Sequence, residues 1–260
     1  MNANLFLENK AYWTRRAPGY SRINREELAT QQREVWKQAL TERISARFPG
    51  RAPGEIHVLE VGTGPGFLVI LLAEAGYRVT AVDLTPSMLD QARHNAGELC
   101  SLIDFREMNA EALDFDNERF DVILSRNLTW NLPNPELAYA DWARVLKPGG
   151  MMMVFDANWY TYLIDDSARE AYEQDRENSV REGLEDYNVG SSFDRMEEIA
   201  RKMPLTRVHR PAWDLNVLGN LGLWAEADPC IWERVWSHQE KINFASTPMF
   251  LVCGYKQNTL

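Results

Sequence analysis

The residues best placed to do chemistry begin at Val58. The segment Val58-Leu59-Glu60-Val61-Gly62-Thr63-Gly64-Pro65-Gly66-Phe67 is an apolar run that enters a glycine-rich turn and leaves it toward a helix. Glycine lets the main chain approach a ligand with no Cβ in the way. A dinucleotide fingerprint asks for glycine at the first, third and sixth positions, but here the sixth is Phe67 and the last glycine, Gly66, comes one residue early. No Gly-Lys-Ser/Thr follows, so the phosphate-loop pattern is missing too. Pyrophosphate is therefore not the guest this turn favours. Asp83 stands 21 residues after Gly62, at the end of the next apolar run. A carboxylate there can accept both hydroxyls of a ribose. Alone, Asp83 reads equally well as a turn residue ahead of Thr85-Pro86; with the glycine turn it points to an adenosine ligand.

Elements that would position these groups follow from the hydrophobic pattern. Helical spacing of Leu28, Val35, Trp36, Ala39, Leu40, Ile44 and Phe48 predicts one amphipathic helix over Arg25–Phe48, stopped by Pro49-Gly50. Strand-like and helix-like segments then alternate: Ile56–Val61, a helix over Phe67–Ala75, Tyr77–Val82, and a helix opened by Thr85 as N-cap with Pro86 at its first position, running to about Leu99. Ile103–Met108 and Phe120–Ser125 are further strands. Asn134-Pro135 opens a helix with Leu137, Ala138, Trp142 and Val145 on one side, and Lys147-Pro148-Gly149-Gly150 reads as a turn before the strand Met151–Asp156. This rhythm predicts a doubly wound, mostly parallel α/β sheet, with ligands at the carboxyl ends of its strands. Two polar helical stretches, Asp165–Gly183 and Phe193–Met203, form an insertion of the kind that lids a pocket, and the segment from Thr247 to Lys256 reads as a final strand. The division expected is a helical cap over 1–55, a core over 56–157, an insertion over 158–204 and the rest of the sheet over 205–260.

Composition narrows the function further. Of 260 residues, 45 % are hydrophobic and 25 % charged, which sets aside the disordered and low-complexity classes. Formal net charge is −10, yet residues 1–55 alone sum to +4. An acidic chain repels phosphate backbones, so no nucleic-acid partner is expected. No apolar run approaches the ~20 residues of a membrane span, and the N-terminal residues lack the pattern of a secretory signal. Three scattered cysteines, Cys100, Cys230 and Cys253, support neither a disulfide framework nor a metal cluster. A cytoplasmic protein without a metal is expected.

Five segments occur in order: Glu60-Val61-Gly62-Thr63-Gly64-Pro65-Gly66; Asp83 with Ser87-Met88-Leu89 behind it; Asn109-Ala110-Glu111-Ala112-Leu113; Phe120-Asp121-Val122-Ile123-Leu124-Ser125; and Arg144-Val145-Leu146-Lys147-Pro148-Gly149-Gly150. Together they resemble the class I S-adenosylmethionine-dependent methyltransferases, specifically small-molecule enzymes with a core like the ubiquinone/menaquinone methyltransferases. The resemblance covers about residues 56–156. It implies a Rossmann-like sheet of seven strands, S-adenosylmethionine as cofactor and S-adenosylhomocysteine as product. It also implies roles. Gly62 and Gly64, in a turn that includes Glu60 and Thr63, would bring main chain against the methionine and ribose portions. Asp83 would hold the ribose hydroxyls, and Leu84 with Met88 would pack on the adenine. Asn109 and Ala110 would meet the adenine edge; the family more often has aspartate at the first of these, and asparagine offers the same carbonyl acceptor without the charge. Ser125 and Arg126 would present backbone to the methionine end, and Tyr20 would reach in from the N-terminal cap.

A sulfonium methyl is already activated, so positioning does most of the work and a dedicated base is not required. His209 and Asp156 are side chains that could serve as one, but no catalytic residue is assigned. Candidates for the pocket of a small-molecule acceptor are Tyr12, Trp13 and Arg16 in the cap, Asn127 and Trp130 after the fourth strand, and Asp156, Asn158, Trp159 and Tyr160 after the fifth. Aromatic walls with a nearby carboxylate suit a planar or cationic molecule. Alternatives stay open at this point: transfer of another alkyl group from a modified sulfonium compound, or a protein that binds the cofactor without turnover. A base methylase would carry Asn/Asp-Pro-Pro-aromatic where this chain has Ser125-Arg126-Asn127-Leu128.

Overall fold

The central strands of the sheet are apolar along most of their buried length, as strands covered on both faces must be, while the edge strand Ile103–Glu107 is mostly charged. In the computed structural model, which describes residues 3–186 and 191–258, the first five strands are β1 (His57–Val61), β2 (Arg78–Asp83), β3 (Ile103–Glu107), β4 (Phe120–Arg126) and β5 (Leu146–Asp156), all parallel. β7 (Phe250–Lys256) inserts antiparallel between β5 and β6 (Leu223–Asp228), giving the order β3-β2-β1-β4-β5-β7-β6. The chain builds outward from β1 to β3, then returns to lay β4 on the other side of β1. That reversal opens a crevice at the carboxyl ends of β1 and β4.

Alternate side chains leave the sheet on opposite faces. Val58, Met151, Met153 and Phe155 pack with Trp36, Leu40 and Ile44 of α2 (Gln32–Arg47) and with α3 (Phe67–Glu74). Leu59, Val61, Met152 and Val154 pack with Tyr139 and Trp142 of α5 (Pro135–Val145) and Leu218 of α8 (Ala212–Asn220). A third cluster joins Leu5 and Tyr12 to Trp130, Leu163, Met196 and Ile199. It seats α1 (Ala3–Ala29) against α7 (Ser191–Ala200), which follows α6 (Asp166–Arg181).

Several expectations change. The single helix over 25–48 is two: α1 already runs from Ala3 through Pro18 and ends at Ala29, and α2 starts afresh at Gln32. Thr30 separates them, its hydroxyl donating to the Glu27 carbonyl and accepting from the Gln32 amide, a local alternative to helical pairing. α2 is part of the sheet's core, whereas α1 crosses the strand ends. Helix α4 (Pro86–Ala96) stops at Gly97, where φ is +54°, and a 3-10 segment carries the chain on to Leu102. Leu137 faces solvent, and Tyr139 takes the buried place expected for it. Lys147-Pro148-Gly149-Gly150 belongs to β5, where the β4–β5 register shifts; a Cβ on Gly150 would lie 2.7 Å from Leu146 Cδ1 and 2.8 Å from the Lys147 carbonyl oxygen.

One polar cluster lies wholly inside. Arg210 Nη1 donates to Asp156 Oδ2 at 2.7 Å, while its Nη2 and Nε donate to the two oxygens of Asp214 at 2.6 and 2.9 Å. All three side chains are at most 1 % exposed. Removing the guanidinium would leave two carboxylates without a counterion in low dielectric. Arg210→Met is therefore expected to cost about 3–5 kcal/mol of unfolding free energy, measured by urea denaturation; a loss below about 1 kcal/mol, the worth of an exposed pair, contradicts this role.

Candidate active site

The turn after β1 is shaped by three glycines with left-handed backbone, Gly62, Gly64 and Gly66. At Gly62, φ is +72° and a Cβ would fall 2.7 Å from Leu128 Cδ2; at Gly66, φ is +92° and it would fall 3.0 Å from Ala92 Cβ on α4. The amides of Gly62 and Thr63 both donate to the Val82 carbonyl, at 2.8 and 3.0 Å, tying the turn to the end of β2. There Asp83 completes the tie: its Oδ2 accepts from the Gly64 amide and its Oδ1 from the Thr85 amide, each at 2.9 Å. Thr85 holds the N-cap place of α4, but its side chain makes no capping bond. Burial pushes the Asp83 carboxyl above the ordinary aspartate range, and the two amides pull it back.

The turn opens on a cleft of about 990 Å³, mouth included, at the ends of β1, β2 and β4. Tyr20, Glu60, Gly62, Thr63, Gly64, Asp83, Leu84, Met88, Asn109, Ala110 and Arg126 all line it. Ser125 does not. It is fully buried beneath the strand tip, and the cleft is met instead by Arg126, Asn127 and Leu128. Asn109 Oδ1 accepts the Glu111 amide at 3.0 Å, so one lone pair of that carbonyl is used within its own loop. Ala110 is pinned through its carbonyl by Trp142 Nε1 at 2.8 Å. Lining residues that the sequence reading passed over include Asn9, Lys10 and Asn24 of α1, hidden because Pro18-Gly19 masks a helix in that stretch.

Glu60 is 2 % exposed and accepts from Thr63 Oγ1 at 2.7 Å. Burial pushes its carboxyl up to about 8, so at neutral pH it is held protonated beside the cleft.

A second chamber, about 1240 Å³ with its mouth, adjoins the first. Trp13, Tyr20, Arg126 and Asn127 line both. Tyr12, Trp130, Trp159 and Tyr160 line the second, with Arg16. Asp156 and Asn158 do not. Asp156 is spent internally: Oδ2 accepts from Arg210, Thr129 Oγ1 and the Trp130 amide, Oδ1 from the Ala157 amide and Trp159 Nε1. No lone pair is left for a base. Asn158 is occupied by Arg210, donating to its carbonyl at 2.9 Å. His209 is exposed and lines neither chamber. The far wall comes from the insertion (Tyr172, Phe193, Met196) and from the chain before β7 (Trp236, Glu240, Phe244). No motif marked the latter segment.

Where the chambers meet, Arg126 Nη2 donates to both oxygens of Glu27, at 2.7 and 2.9 Å. The guanidinium also lies over the rings of Phe67 and Trp36, 4.6 and 5.0 Å from their centroids. Burial opposes its charge, but the Glu27 carboxylate overrides this and holds it ionised. Asn127, at φ +56°, keeps a buried Oδ1 with no hydrogen-bond partner at this seam. Among the described residues no cluster of His, Cys, Asp and Glu is arranged for a metal ion, and no helix is long and apolar enough to cross a membrane.

Comparison with known proteins agrees with this geometry. Residues 59–154 match the methyltransferase-domain family. The ubiquinone biosynthesis O-methyltransferase of Coxiella burnetii is 35 % identical over 109 residues, 41 % of this chain and 47 % of that protein. The chain thus spans about half the length of the curated relatives it matches. An S-adenosyl-L-methionine-dependent methyltransferase structure from Methanococcus maripaludis, so assigned by its description, superposes with a TM-score of 0.57 at 19 % identity, covering 95 % of this chain and 94 % of that one. Geranyl diphosphate C-methyltransferase from Streptomyces coelicolor, solved with Mg2+, geranyl diphosphate and S-adenosyl-L-homocysteine, gives 0.55 at 15 % identity over 84 % of this chain and 79 % of that one. Residues 59–154 thus carry a methyltransferase domain, and the sheet has the Rossmann-like fold of the solved methyltransferases it superposes on.

One consequence of the Glu60 environment is independent of any ligand. The folded chain keeps this proton up to about pH 8, whereas an unfolded chain loses it near 4.5. Between those values the unfolded state binds fewer protons, so this group makes stability fall as pH rises. Glu60→Gln is expected to flatten that decline between pH 5 and 8 in a series of urea melts; an unchanged slope contradicts the buried, neutral carboxyl.

Proposed function

We propose that this protein binds S-adenosylmethionine in the first chamber and transfers its methyl group to a small molecule held in the second. The observation that carries the reading is the Asp83 carboxylate, fixed by the Gly64 and Thr85 amides at the end of β2 and facing the cleft. Both its oxygens retain lone pairs, and two vicinal hydroxyls are donors that would use them. Leu84 and Met88 offer an apolar seat for a purine, and Asn109 Oδ1 has a lone pair left for an exocyclic amine. Glu60, held neutral by burial against the charge of Arg126, would ionise beside a closer ammonium group. The orphaned Asn127 Oδ1 is an acceptor awaiting a donor at the seam.

The bound cofactor would supply an activated methyl carbon. An in-line displacement would join the acceptor's electron pair to that carbon and return the carbon–sulfur pair to sulfur, so that S-adenosylhomocysteine would be the leaving group. What the chain contributes is alignment and exclusion of water. Trp13, Tyr20, Arg126 and Asn127, shared by the two chambers, stand where donor and acceptor would meet. Aromatic walls exclude solvent around the acceptor, and positioning of this kind can lower a barrier by about 7–11 kcal/mol when geometry is ideal. The similarity to a ubiquinone biosynthesis O-methyltransferase supports a small-molecule acceptor.

Calorimetry tests the assignment. The purified protein is expected to bind S-adenosylhomocysteine, and Asp83→Ala to weaken that binding by more than about tenfold, or 1.4 kcal/mol, with an unchanged circular dichroism spectrum. Equal affinity in the variant rejects Asp83 as the ribose ligand; no binding by the parent protein rejects the function.

A further inference from the structure

Among the described residues, four charged side chains line the second chamber: Arg16, Glu27, Arg126 and Glu240. Two of them pair with each other, and a third is hydrogen-bonded within the protein. Glu27 and Arg126 form the ion pair at the seam, at 2.7 Å. Glu240 Oε2 accepts from the Ser237 amide at 2.7 Å and from Gln32 Nε2, and its charge also acts on Arg126. Arg16 differs. Among the described residues no carboxylate lies within ion-pair distance of it, and its Nε is buried with no hydrogen-bond partner. It projects from α1, in the N-terminal stretch of opposite charge to the rest of the chain. The hydroxyls of Tyr12 and Tyr160 lie within its field, both on the chamber wall.

On the wall of an apolar chamber this guanidinium has no counterion among the described residues, and its Nε has neither solvent contact nor a partner. Its planar fork of donors matches the two oxygens of a carboxylate, and phenolic hydroxyls beside it add further donors. Aromatic walls by themselves would equally suit a cationic ligand. Arg16 decides between the two, because it repels a cation while the two carboxylates on the chamber wall, Glu27 and Glu240, both act on Arg126.

Building on the methyltransferase reading, we infer that Arg16 is the subsite for an anionic group on the methyl acceptor, so that the acceptor is a small carboxylate-bearing molecule with a flat apolar body. Arg16 then acts by holding the acceptor's far end, which sets the distance from its nucleophilic atom to the seam.

Three probes of similar shape and different charge test this: benzoate, benzyl alcohol and benzyltrimethylammonium, titrated by ligand-observed NMR into the 260-residue protein saturated with S-adenosylhomocysteine. Benzoate is expected to bind about tenfold or more tightly than benzyl alcohol, equivalent to one charge-assisted pair, and the ammonium compound weakest. Arg16→Gln should erase the preference and Arg16→Lys keep part of it, with affinity for S-adenosylhomocysteine unchanged because Arg16 lies outside the first chamber. The inference is overturned if benzoate fails to bind, if either other probe binds as well as it does, or if the preference survives in Arg16→Gln. Should that variant not fold, the ranking in the parent protein and in Arg16→Lys decides. Absence of S-adenosylhomocysteine binding by the parent protein is a separate result that refutes the methyltransferase reading and leaves the anion preference measurable.

Discussion

A carboxylate with no solvent contact, Asp156 at the end of β5, is the constraint from which the second chamber is built. Its oxygens accept from the Trp130 amide and from Trp159 Nε1, and Arg210 supplies the counter-charge from a distant part of the chain. The loops after β4 and β5 are therefore fastened to one buried group. A buried charge tolerates no drift, since any lost partner leaves a desolvation penalty uncovered. Two tryptophans inherit that rigidity. Trp130 is held further by its Nε1 bond to the Asn127 carbonyl at 3.0 Å, which ties the aromatic wall to the seam residue.

The first chamber is fastened by a different device. Backbone amides of the glycine turn bond to the Val82 carbonyl and the Asp83 carboxylate, so the ends of β1 and β2 form a single cradle. Leu128 fills the space left by the missing Cβ of Gly62, which couples the cradle to the tip of β4. Arg126 extends the coupling to α1 through Glu27. Strand ends, cap helix and both chambers thus converge on residues 126–128. Such convergence suits a reaction in which little covalent work is asked of the protein and relative placement counts for most.

Legibility of the sequence followed the range of the interactions involved. The turn from Glu60 to Gly66 and Asp83 could be recognised because they depend on neighbouring strands and a fixed backbone bend, which leave local patterns, whereas Met88 and Asn109-Ala110 followed from the family resemblance alone. Ser125 lies one residue too early for the cleft, a distinction smaller than the uncertainty of a strand end. Leu137 shows the same weakness, since an apolar residue in a helical pattern does not announce whether its face is covered. The extent of α1 was obscured by Pro18 and Gly19, which count against a helix locally but are tolerated in one packed across the strand ends.

What the sequence by itself determined is the frame of the first chamber: an alternating apolar pattern that admits a doubly wound sheet, a glycine turn, and a carboxylate at the next strand end. Those features are short-range, so neighbouring residues encode them. Only the tertiary structure decided the second chamber. It gathered aromatic side chains from α1, the insertion and the segment before β7 around one space, turned Asp156 inward as a structural anchor, and left Arg16 without a counter-charge. Pairing and desolvation of charges depend on which distant segments meet, and no local spacing in the chain records that.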